Sequence, residues 1–122
     1  MSDIETVLAP WLEATTGVVS AAETPDDLES VLPMIRVERI GGPDGRFTAH
    51  PRVAVDVFAG SADGARTLAL TVRDALLALR GSAGNAAVVR DVRCDAGPSR
   101  QPWANERVHR RGATYTVSLR DA

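Results

Sequence analysis

Residues 36–60 read RVERIGGPDGRFTAHPRVAVDVFAG, and this stretch decides the fold class. Apolar and polar residues alternate from Met34 to Ile40 and again from Arg52 to Ala59, which is the period-two pattern of strands with one buried face. The two segments therefore predict a long antiparallel hairpin. Its connection, Gly41 to Pro51, is much longer than a two-residue turn and is predicted to project as an arm or to fold over the sheet.

A helical pattern precedes this hairpin. Apolar residues recur at spacings of three and four between Ile4 and Leu12, which predicts an amphipathic helix that Gly17 ends and that Pro10 kinks or shortens. A short strand is predicted within residues 18–22. A turn or a capped helical turn should follow at Thr24, before the hairpin begins.

A second helix follows the hairpin. Ser61 is a suitable N-cap for a helix predicted to run to Arg80 and to stop at Gly81. Leu70 and Leu77 lie off its main apolar stripe, so the helix is predicted to pack on its own sheet and to touch a second surface. The stripe comprises Leu68, Val72, Ala75, Leu76 and Leu79.

The last third of the chain predicts a second hairpin. One strand is expected near Ala87 to Ala96 and the other around Ala113 to Arg120, with a long loop from Ser99 to Arg111 between them. The order helix, β-hairpin, helix, β-hairpin predicts an α+β fold with a mixed, mainly antiparallel sheet of about four to five strands and two helices packed against it. The 122 residues suit one domain, 1–122, with a single core.

Charge is distributed unevenly along the chain. Residues 1–34 hold seven acidic residues and no Arg, whereas the remainder holds all fourteen Arg and nine acidic residues, so the two parts carry about −7 and +5. Opposite patches on one small chain suit self-association, and a solvated surface without a partner is the alternative. Arg favours interfaces because its guanidinium makes forked, weakly hydrated contacts.

No constellation of residues indicates catalysis. Three residues separate Gly60 from Gly64 where a phosphate-binding loop needs four, and Ala-Arg follows Gly64 in place of Lys-Ser/Thr, so the two glycines do not form such a loop. His50 and His109 have no ligand-like spacing, and Cys94 has neither a cysteine partner nor an evident histidine. We therefore expect no enzymatic activity, no cofactor and no metal site.

The sequence also argues against a membrane or a specific nucleic acid as partner. No apolar run approaches the roughly 20 residues that cross a bilayer, and no secretion signal opens the chain, so a soluble protein made in a reducing, intracellular compartment is expected. The late arginines are interleaved with acidic residues and few aromatic residues accompany them, which disfavours nucleic-acid binding.

Four stretches together resemble the tail terminator proteins of long-tailed phages, in particular those of actinobacterial phages and prophages. They are ETVLAPWLEATTGV, LPMIRVERIGGPDGRFTAHPRVAVDVFAG, ARTLALTVRDALLALRG and DVRCDAGPSRQPWANERVHRRGATYTVSLR. The resemblance covers nearly the whole chain. Its most specific part is the Arg-Ile-Gly-Gly-Pro-Asp block followed by Pro-Arg-Val-Ala-Val-Asp-Val-Phe.

The resemblance implies a structural α+β subunit that forms a ring, usually of six copies. Such a ring caps the growing tail tube, stops its polymerisation and offers the surface on which the filled head docks. The implied partners are further copies of the chain, the tail tube protein and a head-completion or neck protein. The implied location is the head-proximal end of the virion tail, and the host cytoplasm during assembly.

The contacts of this assembly are predicted on the arm and on the long loop. Arg and aromatic residues are common interface anchors, and acidic residues of the first quarter of the chain are candidate partners for them. The predicted interface residues are Arg46, Phe47, Trp103, Arg110, Arg111, Glu23, Asp26, Asp27 and Glu29. Two alternatives stay open: a neighbouring neck or head-completion protein, and a small cytoplasmic domain that binds a nucleic acid or another ligand.

Overall fold

The computed structural model describes residues 4–43, 48–79 and 87–121. In chain order the elements are α1 (Ile4–Thr16), β1 (Val19–Ala21), a 3-10 helix (Leu28–Val31), β2 (Met34–Gly41), β3 (Thr48–Ala49), β4 (Arg52–Ala59), α2 (Ala62–Leu77), β5 (Ala87–Gln101) and β6 (His109–Asp121). This arrangement confirms the predicted α+β class and the order of helices and hairpins.

The strands form one mixed sheet in the spatial order β1-β2-β4-β6-β5. Only β1 and β2 run parallel, and the remaining neighbours are antiparallel. The short strand β3 continues β4 along β6, because Ala49 pairs with Leu119 and Arg52 pairs with Thr116 in the same register. The predicted mixed, mainly antiparallel sheet is therefore confirmed.

The connection within the first hairpin is shorter than predicted. Thr48–Ala49 pairs with β6, and the carbonyl of Pro51 accepts a hydrogen bond from the Val117 amide at 3.0 Å. Proline lacks an amide hydrogen but keeps its acceptor, so the ladder continues past it. The prediction that Gly41 to Pro51 projects as an arm or folds over the sheet is therefore wrong for its last residues, which continue the sheet along β6. Residues 44–47 lie outside the described residues.

Both helices cover the same face of the sheet. Pro10 does not end α1, which continues to Thr16, and Gly17 adopts a φ of +73° after it, as expected for a residue that ends a helix. The core beneath the helices is aliphatic apart from one tyrosine. Its fully buried side chains include Ile4, Leu8, Leu12, Ile35, Val37, Val53, Val57, Leu76, Tyr115, Val117 and Leu119.

Helix α2 begins where the sequence predicts and ends earlier. The Ser61 hydroxyl accepts a hydrogen bond from the Gly64 amide at 3.0 Å, which confirms the N-cap. The helix ends at Leu77 and not at Arg80, although the buried Leu79 still contributes to the core. Leu70 lies off the buried stripe and is 44% exposed.

The second hairpin is longer than predicted, and its loop is shorter. Strand β5 reaches Gln101 although it contains Gly97 and Pro98, which read as a loop in the sequence. Three shifts in its register against β6 accommodate these residues, as β-bulges do in a strand that has a long partner. The predicted loop from Ser99 to Arg111 is thus wrong at both ends, and residues 102–108 alone connect the strands.

Among the described residues, those that pack on the other face of the sheet lie at one end of it. There the segment that holds the 3-10 helix and the 102–108 loop pack on the sheet and enclose a second, smaller apolar cluster. Its buried members are Leu28, Met34, Phe58 and Val108, and Trp103 packs against them. This cluster joins the acidic first quarter of the chain to the Arg-rich last quarter.

Candidate functional site

A buried carboxylate lies at the centre of this covered end. Asp56 is 2% exposed and accepts hydrogen bonds from Arg36 and Arg110. The Nη2 atom of Arg36 lies 2.7 Å from Oδ2, and the Nη2 atom of Arg110 lies 3.0 Å from Oδ1. The three residues occupy adjacent strands, since Arg36 and Asp56 are direct cross-strand partners. Each carboxylate oxygen thus has its own guanidinium, which compensates its burial.

Two aromatic rings complete this arrangement, which we call the Asp56 cluster: Asp56, Arg36, Arg110, Phe58 and Trp103. The rings of Phe58 and Trp103 meet edge to face with their centroids 4.8 Å apart. The Arg36 guanidinium lies 5.5 Å from the Phe58 ring and 5.8 Å from the Trp103 ring, and that of Arg110 lies 5.6 Å from Trp103. Cation–π attraction of this kind holds the 102–108 loop against the sheet.

The same loop is fastened to the acidic segment. Asn105 donates a hydrogen bond to Glu29 at 3.0 Å, and Arg107 forms an ion pair with Glu29 at 3.4 Å. The hydrogen bond from Asn105, followed by that from Arg107, holds the pKa of Glu29 below its ordinary value. Glu29 is therefore already engaged within its own chain.

A second carboxylate lies on the uncovered part of the same sheet face. Asp95 accepts hydrogen bonds from Thr116 at 2.5 Å and from Arg93 at 2.8 Å, and Arg52 lies 4.0 Å away. The hydrogen bond from Thr116, followed by that from Arg93, lowers its pKa. Unlike Asp56, Asp95 stays accessible to water.

The structure gives the predicted interface residues different surroundings. Trp103 and Arg110 belong to the Asp56 cluster, where they make contacts within the chain. Arg111 is half-buried on β6, next to Arg100 of β5. The three carboxylates in front of the 3-10 helix are exposed: Glu23, Asp26 and Asp27. Arg46 and Phe47 lie outside the described residues.

The sequence analysis missed Arg36 and Asp56 as a pair. Their signal was available, because both residues occupy polar positions of two strands that were predicted to form a hairpin. Opposite charges at facing positions of a hairpin form a cross-strand pair once the register is known. The register could not be read from the sequence, because the connection was longer than any turn of defined geometry.

An open groove of about 970 Å³ lies between the N-terminal turn of α2 and the segment that leads into β2. Ser61, Gly64 and Leu68 line one side, and Leu32 and Pro33 lie on the other. Glu29 and Arg107 also line it, but they are paired with each other. The groove therefore offers a mixed, shallow surface without a catalytic constellation among its described residues.

The side chains of the described residues that could bind a metal ion are dispersed. Within residues 4–43, 48–79 and 87–121, no three His, Cys, Asp or Glu side chains gather in a way that could hold a metal ion. Burial raises the pKa of Tyr115 above its ordinary value, so this phenol stays protonated in the core. In the same ranges, neither helix combines the length and the apolar character that crossing a membrane requires.

Comparison with known proteins identifies the fold and no sequence family. No family model matches the chain, and no curated protein does. Among solved structures, the chain is similar to one in a structure described as "Virion of native gene transfer agent (GTA) particle". The two are 16% identical with a TM-score of 0.58, and the match covers 91% of this chain and 84% of that chain. A likeness at this identity establishes a shared fold over nearly the whole chain.

Proposed function

We propose that this chain is a structural subunit of a phage or phage-like particle and that it acts as a tail terminator. The observation that carries this proposal is the likeness in fold, over nearly the full length of both chains, to a component of a gene transfer agent virion. That likeness joins the separate resemblance of the sequence to tail terminators. The proposed role is a ring, of six copies by the resemblance, that caps the tail tube, ends its polymerisation and receives the head.

The chemistry of the described residues supports a structural role. Arg36 and Arg110, which pair with the buried Asp56, hold Trp103 of the 102–108 loop against the sheet. Exposed contacts of Asn105 and Arg107 with Glu29 fasten the same loop to the acidic segment, which favours a rigid surface. Rigid, preformed surfaces lower the entropic cost of assembly. The proposed partners are further copies of the chain, the tail tube protein and a head-completion or neck protein, at the head-proximal end of the tail. Assembly would take place in the host cytoplasm.

Deletion of the gene in a particle-producing strain tests this function. Electron microscopy should then show tails of uncontrolled length or tails without heads, and a plasmid copy of the wild-type chain should restore normal particles. Tails of normal length that stay separate from complete heads would instead favour a neck or head-completion protein. Normal, infectious particles in the deletion strain would refute an assembly role.

Substitution of the predicted contact residues sharpens the test. A variant with Arg46→Ala and Phe47→Ala should fail to restore normal tails, because the connection that bears them is predicted to contact a neighbouring copy or the tube. Arg66→Ala, an exposed arginine of α2, is the matched control and should restore them. Circular dichroism and thermal unfolding of each purified variant should show that the fold is retained.

A further inference from the structure

Two arginines face each other at one edge of the sheet. Arg100 of β5 and Arg111 of β6 are direct cross-strand partners. Like charges at facing positions destabilise a strand pair, and neither arginine has a carboxylate partner among the described residues. Arg36 and Arg110, by contrast, are paired with Asp56. The facing arginines Arg100 and Arg111 are therefore available to an anionic partner.

The complementary charge follows β1, the strand at the opposite edge of the sheet. Glu23, Asp26 and Asp27 follow β1, are exposed, and have no partner in the described part of the chain. Asp27 precedes the 3-10 helix, but its side chain makes no capping hydrogen bond. Glu29 differs from these three, because Asn105 and Arg107 already engage it.

The two charged regions lie at the same level of the sheet. Ser20 of β1 pairs with Ile35, and Ile35 pairs with Val57. Val57 in turn pairs with Arg111, and Arg111 pairs with Arg100. Ser20 and Arg100 are therefore the two ends of one row across five strands. A second copy placed beside the first at the same height would bring β1 next to Arg100.

The strand edges at these positions also match in length. β1 is three residues long, and Val19 on it is 52% exposed. On β5, Ser99–Gln101 is the three-residue stretch that follows the last shift in register. Bulges and Pro98 divide the β5 edge into short stretches, and such features limit pairing with another strand. Among these stretches, the one that bears Arg100 matches β1 in length and lies in the same row as Ser20 of β1.

We propose that two copies of this chain associate head to tail through these edges. The β5 edge around Arg100 and Arg111 of one copy contacts β1 and the carboxylates of Glu23, Asp26 and Asp27 in the next. The two surfaces differ, so the contact is heterologous and generates a closed ring or an open filament. This inference rests on the proposed ring function and specifies its subunit contact.

Cysteine cross-linking tests the geometry. In a Cys94→Ala background, Val19→Cys and Ser99→Cys place one thiol on each edge, at exposed positions. A short bismaleimide should convert the double variant into a ladder of oligomers at high protein concentration. Each single-cysteine variant should give no cross-linked dimer, because head-to-tail contact keeps identical residues apart. The ladder should fade at about 1 M salt, where charges are screened within about 3 Å.

Charge reversal tests the residues. Arg100→Glu should lower the cross-linked fraction roughly tenfold or more, because it places like charges across the contact. Arg90→Glu, an exposed position near the other end of β5, is the matched control and should leave it unchanged. Asp26→Arg combined with Asp27→Arg should act like Arg100→Glu, with Glu38→Arg as its control.

Mixing the two reversed proteins distinguishes head-to-tail contact from any symmetric one. Each reversed protein repels itself, but the altered β5 edge of one is opposite in charge to the altered β1 edge of the other, and their unaltered edges also stay complementary. The mixture should regain the ladder with strictly alternating copies, so that closed rings contain even numbers.

Two results would overturn the edge pairing. One is a double-cysteine protein that stays monomeric at its highest soluble concentration. The other is a ladder that Arg100→Glu and Arg90→Glu reduce equally. Neither result affects the deletion test, so failure of the edge pairing can be told from failure of the tail function.

Discussion

Replacing the buried Asp56 by Asn should destabilise the protein strongly. The change removes one negative charge from between two guanidiniums, which lie 2.7 and 3.0 Å from the carboxylate. Removing one partner of a buried ion pair costs about 3–5 kcal/mol, because the remaining charge is left uncompensated. The side chains of Arg36 and Arg110 are 18% and 22% exposed, so water can replace part of the lost interaction. We therefore expect the lower end, about 3 kcal/mol.

Urea unfolding followed by tryptophan fluorescence measures this free energy, and Trp103 reports on the cluster itself. Asp95→Asn is the matched control, since Asp95 lies near two arginines on the same sheet but is accessible to water. A surface ion pair contributes about 0–1 kcal/mol. The two variants should thus differ by about 2 kcal/mol or more. Equal losses for both would refute the argument that burial, and not pairing alone, makes Asp56 important.

Three further predictions concern the core, a close contact and a titration. Leu76→Ala should lower the free energy of unfolding by about 2–5 kcal/mol, because it opens a cavity in the core. Leu70→Ala, on the exposed side of α2, should lower it by less than about 1 kcal/mol in the same denaturant experiment. A loss below about 1 kcal/mol at Leu76 would mean that this stripe is not the core. Gly112→Ala should lower the free energy of unfolding by about 1–3 kcal/mol, because a Cβ there would lie 2.6 Å from Oδ1 of Asp56. At Gly97 a Cβ would meet no atom within 4 Å, so Gly97→Ala should be tolerated. Thermal unfolding compares the two variants. Because the pKa of Glu29 is lowered, its pairing contributes stability above the ordinary glutamate pKa, and this stability is lost as the pH falls through the pKa of the folded state. In Asn105→Ala, carboxyl NMR titration should show the pKa of Glu29 rising towards its ordinary value. An unchanged pKa would contradict the assignment to this hydrogen bond.

The arginines of this chain have two different roles in the fold and in the proposed assembly. Within the described residues, the arginines of the Asp56 cluster hold the fold together, whereas we propose that Arg100 and Arg111 contact a second copy. The prediction that acidic residues of the first quarter meet arginines of a neighbour is kept as a proposal, with a revised set of residues. Glu29 and Arg110 leave that set because their contacts lie within the chain.

The sequence alone was sufficient for the class of fold. Alternation in β2 and β4, the Ser61 cap and the apolar stripe of α2 are local signals, because strand and helix periodicity depends on which face of each element is buried. These signals predicted two helices and two hairpins in the correct order. They also predicted that Leu70 would lie off the buried stripe, as it does.

Only the tertiary structure decided where the elements end and which charges meet. Strand β5 continues through Gly97 and Pro98 because β6 supplies a partner along its length, and a residue's neighbour on another strand is not encoded in its own sequence window. The same reason applies to Asp56, whose two arginines lie 20 and 54 residues away along the chain. Ser20 and Arg100 share a row only because three intervening strands fix their level. The sequence established that charge is distributed unevenly along the chain, and the sheet register determined which of these charges meet within the chain.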